Sequence, residues 1–319
     1  MAFKRPDHWV WDFWLADDGE RFHLFYLHAP KSLGNPDLRH RNARIGHATS
    51  TDLGDWTDHG LAFDAGAPGT FDGSATWTGS VIRDDAGLWR MFYTGSRFLA
   101  PDSAANVETI GLATSPDLFT WTKANGPVCA ADPALYEILG TSSWPEEAWR
   151  DPWVFRDEAD GLWHMLITAR GKHGAEPDRG VMGHATSPDL DVWTVQPALS
   201  AAGSGFAHLE VFQLVEVDGQ NHMVFCCDTP KLCGLRAGQV GGIWSLPVGA
   251  MPGQVDFSQA RLLVDERLYA GRVVTDRQGR ACLLAFDNST IDGQFMGGIC
   301  DPIPLRVDAD GYLSVKVRP

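Results

Sequence analysis

A motif that returns three times limits the architecture more than anything else in the chain. Residues 45–57 read IGHATSTDLGDWT, residues 110–122 IGLATSPDLFTWT and residues 182–194 MGHATSPDLDVWT, with starts 65 and 72 residues apart. Each copy has an apolar residue, a Gly, a short strand ending in Ala-Thr-Ser, an Asp-Leu turn and a closing Trp-Thr. Asp and Pro in such places serve turns, so Asp52, Asp117 and Asp189 are read as structural. A second element precedes each copy: RFHLFYLH (21–28), LWRMFYTG (88–95) and LWHMLITA (162–169), each after an Asp/Gly turn. NHMVFCCD (221–228) and ACLLAFDN (281–288) continue the series to five hairpins. Helical periodicity is nearly absent; PALYEILG (133–140) reads as a short helix or a loop. Units of about 65 residues with around four strands each cannot bury their faces singly, but set radially they bury one another. The expected fold is all-β, a five-bladed β-propeller, with residues 1–319 as one catalytic domain.

Composition narrows the partners. Lys and Arg number 26 against 41 Asp and Glu, a formal net charge of −15, with no basic block. Nucleic acid and anionic membranes are therefore not expected. The six cysteines show no CxxC pair, and adjacent Cys226 and Cys227 read as reduced core residues. The first residues contain no apolar signal core, and no run approaches the ~18 apolar residues of a membrane span. A soluble, cytoplasmic protein is expected. No loop has the ligand spacing that would call for Ca²⁺, His28, His47 and His184 assemble no metal site, and no cofactor is expected.

Three acids stand in unusual company shortly before a Gly turn. Asp12 lies among tryptophans in HWVWDFWLADDG, Asp151 sits between Arg150 and Pro152 in AWRDPWVF, and Glu210 in HLEVFQLVEVDG precedes the same strand-and-turn pattern. In a propeller the start of each innermost strand faces a shared funnel, so equivalent positions meet across it. Two carboxylates in different environments suit glycoside hydrolysis, one ionised and one protonated. A third would hold substrate hydroxyls through charge-assisted hydrogen bonds. Arg150 would lower the pKa of Asp151. His208, two positions before Glu210, reads as a surface-loop residue rather than one that tunes that acid.

These residues resemble the five-bladed fructosidases and fructosyltransferases of glycoside hydrolase families 32 and 68, over essentially the whole chain. Trp11-Asp12 with Trp14 resembles the nucleophile box in its family 68 form. WTGSV (77–81) with MFYTG (91–95) resembles a sugar-contact pair, bringing in Trp77, Thr78 and Ser80. Arg150-Asp151-Pro152 matches the box that holds the fructosyl hydroxyls, Glu210 falls at the acid/base, and Tyr269 at the last-blade tyrosine. The resemblance implies a retaining double displacement on β-fructofuranosyl substrates of disaccharide or oligosaccharide type. Asp12 would be the nucleophile on the floor of a pocket walled by Trp11 and Trp14, and Tyr269 would bond either Asp12 or Glu210. Glu210 departs from the pattern in being followed by Val211 and Phe212, and Thr78 stands where Ser is usual. The family's C-terminal β-sandwich is missing before Pro319, and homo-oligomerisation would cover the face it leaves. Two rival readings stand beside this one: an inverting arabinosidase or xylosidase resembling family 43, and a propeller that binds carbohydrate without cleaving it.

Overall fold

The structure is a computed structural model that describes residues 3–291 and 294–315. Its strands form five four-stranded antiparallel sheets in chain order. Blade 1 is β1 (His8–Asp17), β2 (Phe22–Pro30), β3 (Arg44–Ser50) and β4 (Thr57–Phe63). Blade 2 is β5 (Ala75–Arg83), β6 (Trp89–Phe98), β7 (Asn106–Ser115) and β8 (Thr122–Lys123). Blade 3 is β9 (Trp149–Arg156), β10 (Trp163–Arg170), β11 (Gly180–Ser187) and β12 (Thr194–Gln196). Blade 4 is β13 (Glu210–Val217), β14 (Gln220–Cys227), β15 (Gly242–Pro247) and β16 (Arg261–Asp265). Blade 5 is β17 (Leu268–Thr275) and β18 (Ala281–Asp287), then, past the small hairpin β19 (Thr290–Ile291) and β20 (Gln294–Phe295), β21 (Ile303–Val307) and β22 (Leu313–Val315). First strands pack on first strands all the way round, β17 meeting β1 to close a five-bladed β-propeller. Closure is pinned where Gly298 N–H donates to the Val10 carbonyl at 2.7 Å and Phe3 pairs with Ile299.

Alternation along the strands explains why the blades need one another. On β10, Met165 and Ile167 join Phe92 and Ile110 of blade 2, whereas Leu166 between them joins Phe212 and Phe225 of blade 4. Successive side chains leave opposite faces of a strand, so a sheet with both faces apolar is stable only between two others. Each fully buried aromatic or aliphatic side chain in these layers contributes roughly 1.5–3 kcal/mol. The outermost strands β8 and β12 are only 2 and 3 residues long, which limits edge pairing.

The threefold motif has one physical explanation throughout. Its Gly lies under a neighbouring side chain: a Cβ at Gly46 would come 2.3 Å from the Tyr26 ring, and one at Gly111 2.6 Å from Tyr93. Its Asp closes the turn, Asp52 accepting from Gly54 and Asp55 N–H at 2.8 and 2.9 Å. Asp117 does the same for Phe119 and Thr120, and Asp189 for Asp191 and Val192. The turn holds Leu53, Leu118 and Leu190 at φ of 66°, 65° and 70°, a strained region for a branched side chain. Each leucine is buried, and its carbonyl accepts the indole N–H of Trp56, Trp121 or Trp193.

The segment 133–140 is a loop, not a helix; Tyr136 in it bridges Gly171 and donates its hydroxyl to the Gln196 carbonyl. All six cysteines are free thiols, and Cys226 and Cys227 are fully buried. His47 and His184 pair with His23 and His164, ring nitrogens 2.9 Å apart in both cases. Among the described residues no helix is long and apolar enough to cross a membrane.

Candidate active site

Every first strand carries one extra residue near its start, and in three of the five it lies at an acid. In β1 the register slips between Val10 and Phe13, so Trp11 and Asp12 together oppose Leu27. In β5 the extra residue is Thr78, and in β9 Asp151 and Pro152 share one partner position. In β13 the slip follows Glu210, and in β17 it follows Tyr269. A bulge bends the strand and re-aims its side chains, and here five of them turn polar residues toward one end of the propeller axis. The backbone is strained there: Asp151, Val211 and Ala270 have φ of 57°, 58° and 48°. Arg272 knits the bulges from below, donating to the carbonyls of Phe13, Val211 and Phe212 at 3.3, 3.2 and 2.7 Å.

The re-aimed residues open into a cavity of about 750 Å³ lined by Asp12, Asp151 and Glu210 together. Asp12 accepts from the Thr78 hydroxyl through Oδ2 at 2.6 Å. Asp151 is fixed by two threonines: its N–H donates to Thr94 Oγ1, and its Oδ2 accepts from the Thr168 hydroxyl, both at 2.9 Å. Glu210 is gripped at both oxygens, by Arg150 Nη2 at 2.9 Å and the Tyr269 hydroxyl at 2.8 Å. Arg150 is the hub, since its guanidinium also meets Glu108 at 3.1 Å and Glu146 at 3.4 Å.

Electrostatics separate the three acids. Burial lifts the Asp12 carboxyl to about 6; the Thr78 hydrogen bond opposes this and the Glu210 charge adds to it. Burial also lifts Asp151, against the pull of Arg150, so Arg150 does not bring that acid below its usual range. Burial acts on Glu210 in the same sense, but His208, Arg150 and Tyr269 outweigh it and hold the carboxyl low.

Of the residues expected to bind sugar, Trp11, Trp77, Thr78, Arg150 and Tyr269 line the cavity. Tyr269 chooses Glu210 over Asp12. Trp77 keeps its ring at the wall while its indole N–H donates to the His40 carbonyl at 2.8 Å. Two expectations need correction. Trp14 lies beyond the bulge, fully buried and stacked on Phe25 with ring centroids 6.2 Å apart, so it is a core residue. Ser80 is buried between blades, where its hydroxyl accepts the Val154 N–H at 3.2 Å. His208 is likewise not a surface-loop residue: it is 5% exposed, with Nε2 3.3 Å from Glu210 and 3.1 Å from Asp228.

Several further site residues carry a signal in the sequence. Thr94 and Thr168 hold the same place in the repeated MFYTG and LITA strands. Glu108 is the one charged residue in the mostly buried strand NVETIGLATS. Arg39, from the 3₁₀ turn Pro36–Asn42, reaches the cavity and stacks 4.3 Å from the Phe295 ring. Nothing in its local pattern marks it.

Comparison with known proteins places this geometry. The sequence matches the family described as "Glycosyl hydrolases family 32 N-terminal domain" over residues 13–292. It is 29% identical over 191 residues to a fructan 6-exohydrolase of Beta vulgaris, covering 58% of this chain and 28% of that one. It is 28% identical over 246 residues to a sucrose-6-phosphate hydrolase of Escherichia coli, covering 73% of this chain and 44% of that one. The chain thus spans less than half the length of these curated relatives. Among solved structures, the inulosucrase of Halalkalicoccus jeotgali bound to kestose superposes with a TM-score of 0.78 at 21% identity, covering 97% of this chain and 87% of that one. A β-fructofuranosidase mutant from Microbacterium saccharophilum K-1 gives 0.77 at 18%, covering 98% and 76%. These likenesses establish the propeller.

Proposed function

The chain belongs to glycosyl hydrolase family 32, and on that premise we propose that it is a retaining glycosidase or transglycosylase of β-fructofuranosyl sugars. The observation that carries the reading is the placement of Asp12, Asp151 and Glu210 on separate bulges around one cavity, each with different partners. With Thr78 on Oδ2, the other oxygen of Asp12 is the attacking atom at the anomeric carbon. The bond from that carbon to the leaving oxygen breaks, and the leaving oxygen takes a proton from Glu210. In the second half-reaction Glu210, now a carboxylate, takes the proton of a water or sugar hydroxyl. The oxygen of that acceptor attacks the anomeric carbon and frees Asp12. Such a double displacement places the two carboxyls roughly 5–5.5 Å apart.

Asp151, buried and held by two threonines, would grip the furanose hydroxyls without reacting, and Trp11 and Trp77 would supply stacking faces. The substrate class is sucrose or a fructo-oligosaccharide, and the reaction is assigned to the cytoplasm. The test is to incubate the protein with sucrose and measure free glucose and free fructose separately, with Asp12→Asn as control. Equal release that the substitution abolishes supports hydrolysis, and glucose in excess of fructose supports transfer. Release of neither from sucrose or from fructans would overturn the assignment.

A further inference from the structure

Resting on the reading of Asp12 as the residue that bonds the sugar, we infer that Arg39 is a further substrate-contact residue, which holds the fructosyl unit over Asp12 through the Nε–Nη2 edge of its guanidinium. Arg39 lines the cavity and is nearly buried. It is stacked rather than paired: the guanidinium carbon lies 4.3 Å from the centre of the Phe295 ring and 5.8 Å from that of Trp11. Of its donors, Nη1 is used on the Pro36 carbonyl at 2.9 Å. Nε is buried without an acceptor, and among the described residues none bonds Nη2 either. Its one ion-pair contact among those residues is Asp37 Oδ1, 3.9 Å from Nη1 on an exposed side chain.

Local structure keeps that edge in place. Arg39 sits in the 3₁₀ turn Pro36–Asn42, capped at its start by Asn35 Oδ1, which accepts the Asp37 N–H at 3.0 Å. The Asn42 side-chain N–H donates to the Leu38 carbonyl at 2.9 Å, and the Trp77 indole N–H to the His40 carbonyl at 2.8 Å, so both neighbours of Arg39 are tied. Phe295 comes from β20, part of the small hairpin that interrupts the four-strand order of blade 5. A ring under a guanidinium fixes its plane without using its N–H groups. The donors are therefore preorganised and still free for a ligand.

The place of Arg39 relative to Asp12 decides what the edge can hold. Burial works against the guanidinium charge, and the Asp12 charge is the first to oppose that. Arg39 in turn is among the groups that pull the Asp12 carboxyl back down against burial. Yet the two make no ion pair among the described residues, and Asp12 Oδ2 is bonded by Thr78 instead. They face each other across a gap, and a sugar seated over Asp12 has to fill it. A buried N–H without an acceptor is costly, and the ring hydroxyls of a furanose supply acceptors here. Positive charge grows at the anomeric carbon during the reaction, so a cation holding the ring gains nothing in the transition state over the bound sugar. Loss of such a contact weakens binding more than it slows the bound complex.

The test measures binding without turnover. The full chain carrying Asp12→Asn is titrated by calorimetry with sucrose and, separately, with a trisaccharide that ends in the same β-fructofuranosyl unit. Adding Arg39→Met keeps an aliphatic stem over Phe295 but removes the donors, and is expected to raise Kd about tenfold for both sugars. Arg39→Lys keeps the charge without the fork and is expected to lie between. With Asp12 intact, Arg39→Met should raise KM by a similar factor and change kcat by less than about threefold. An unchanged Kd in folded Arg39→Met protein overturns the inference, as does a loss that falls on kcat with KM unmoved. A loss for one sugar and not the other would put Arg39 at the leaving group and overturns it as well. If Asp12→Asn alone binds neither sugar, the substrate reading itself fails and takes this inference with it, an outcome seen before Arg39 is altered.

Discussion

Two sets of three acids stand apart in the molecule: the leading influence on their carboxyls has opposite sign, although in Glu210 the partners prevail over burial. Asp52, Asp117 and Asp189 sit in solvated turns at the far end of the third strands, where backbone N–H groups hold their carboxyls below the usual range. Asp12, Asp151 and Glu210 sit on bulges at the near end of first strands, where burial pushes upward and only named partners push back. The first set recurs because the turn is the same in three blades. The second set does not recur, since blades 2 and 5 put Thr78 and Tyr269 at the corresponding bulges. Repetition in this chain marks structure, and a break in the repetition marks the site.

The comparison is broken most directly by exchanging the amide for the acid in each set. Asp12→Asn is expected to lower kcat/KM on a fructosyl substrate by about 10⁴-fold, since it removes the proposed nucleophile. Asp117→Asn should change the same constant by less than about twofold, because it touches only a turn. Comparable losses from both would end the distinction.

Arg150→Lys comes next, with an expected loss on the order of 10²-fold in kcat/KM. An ammonium cannot reproduce the fork that meets Glu108 and Glu210 at once. A steady-state assay with circular dichroism as a folding control reads it.

Acidity gives the third contrast. With the Asp12 carboxyl lifted to about 6, the ionised form that the proposed attack needs should be lost as pH drops through that value, read by titrating that carboxyl in the free enzyme. Stability carries the opposite mark. The folded protein binds the Asp12 proton more tightly than an unfolded chain, whose carboxyl has a value near 3.8. Stability contributed by that group is therefore present at low pH and lost as pH rises from about 4 to 6. Asp12→Asn should raise stability at pH 8 by on the order of 1–3 kcal/mol and leave it unchanged near pH 3.5, measured by thermal unfolding at both. The smallest effect is expected at the turns: Asp117→Ala removes two backbone acceptor contacts and should cost about 1 kcal/mol at neutral pH.

The same contrast explains what the sequence revealed. The blades were legible because hairpin and turn chemistry is local: in the three copies of the motif, a Gly under a neighbouring side chain, an Asp under two N–H groups, a leucine at positive φ bonded to a tryptophan. Asp12, Asp151 and Glu210 were legible as exceptions to that pattern. Trp14 misled because Asp12 lies within a bulge and Trp14 in the regular strand that follows it. An extra residue changes which side chains share a face, and no residue type in VWDFW announces it. Ser80 misled for the related reason that a hydroxyl near a site can equally serve the seam between blades. Glu108, Arg272 and His208 escaped because their roles depend on partners 42, 61 and 58 residues away in sequence. Those partners are brought near only when the ring closes.

The central claim is that Asp12 bonds the sugar. Glu210→Gln treated with a β-fructofuranosyl fluoride, whose leaving group needs little help from an acid, should accumulate the covalent intermediate. Intact-protein mass spectrometry is predicted to show a gain of one fructosyl unit, mapped by proteolysis to the peptide containing Asp12 and absent when Asp12→Asn is added. Fluoride release with no such adduct, or an adduct that survives Asp12→Asn, would contradict the account.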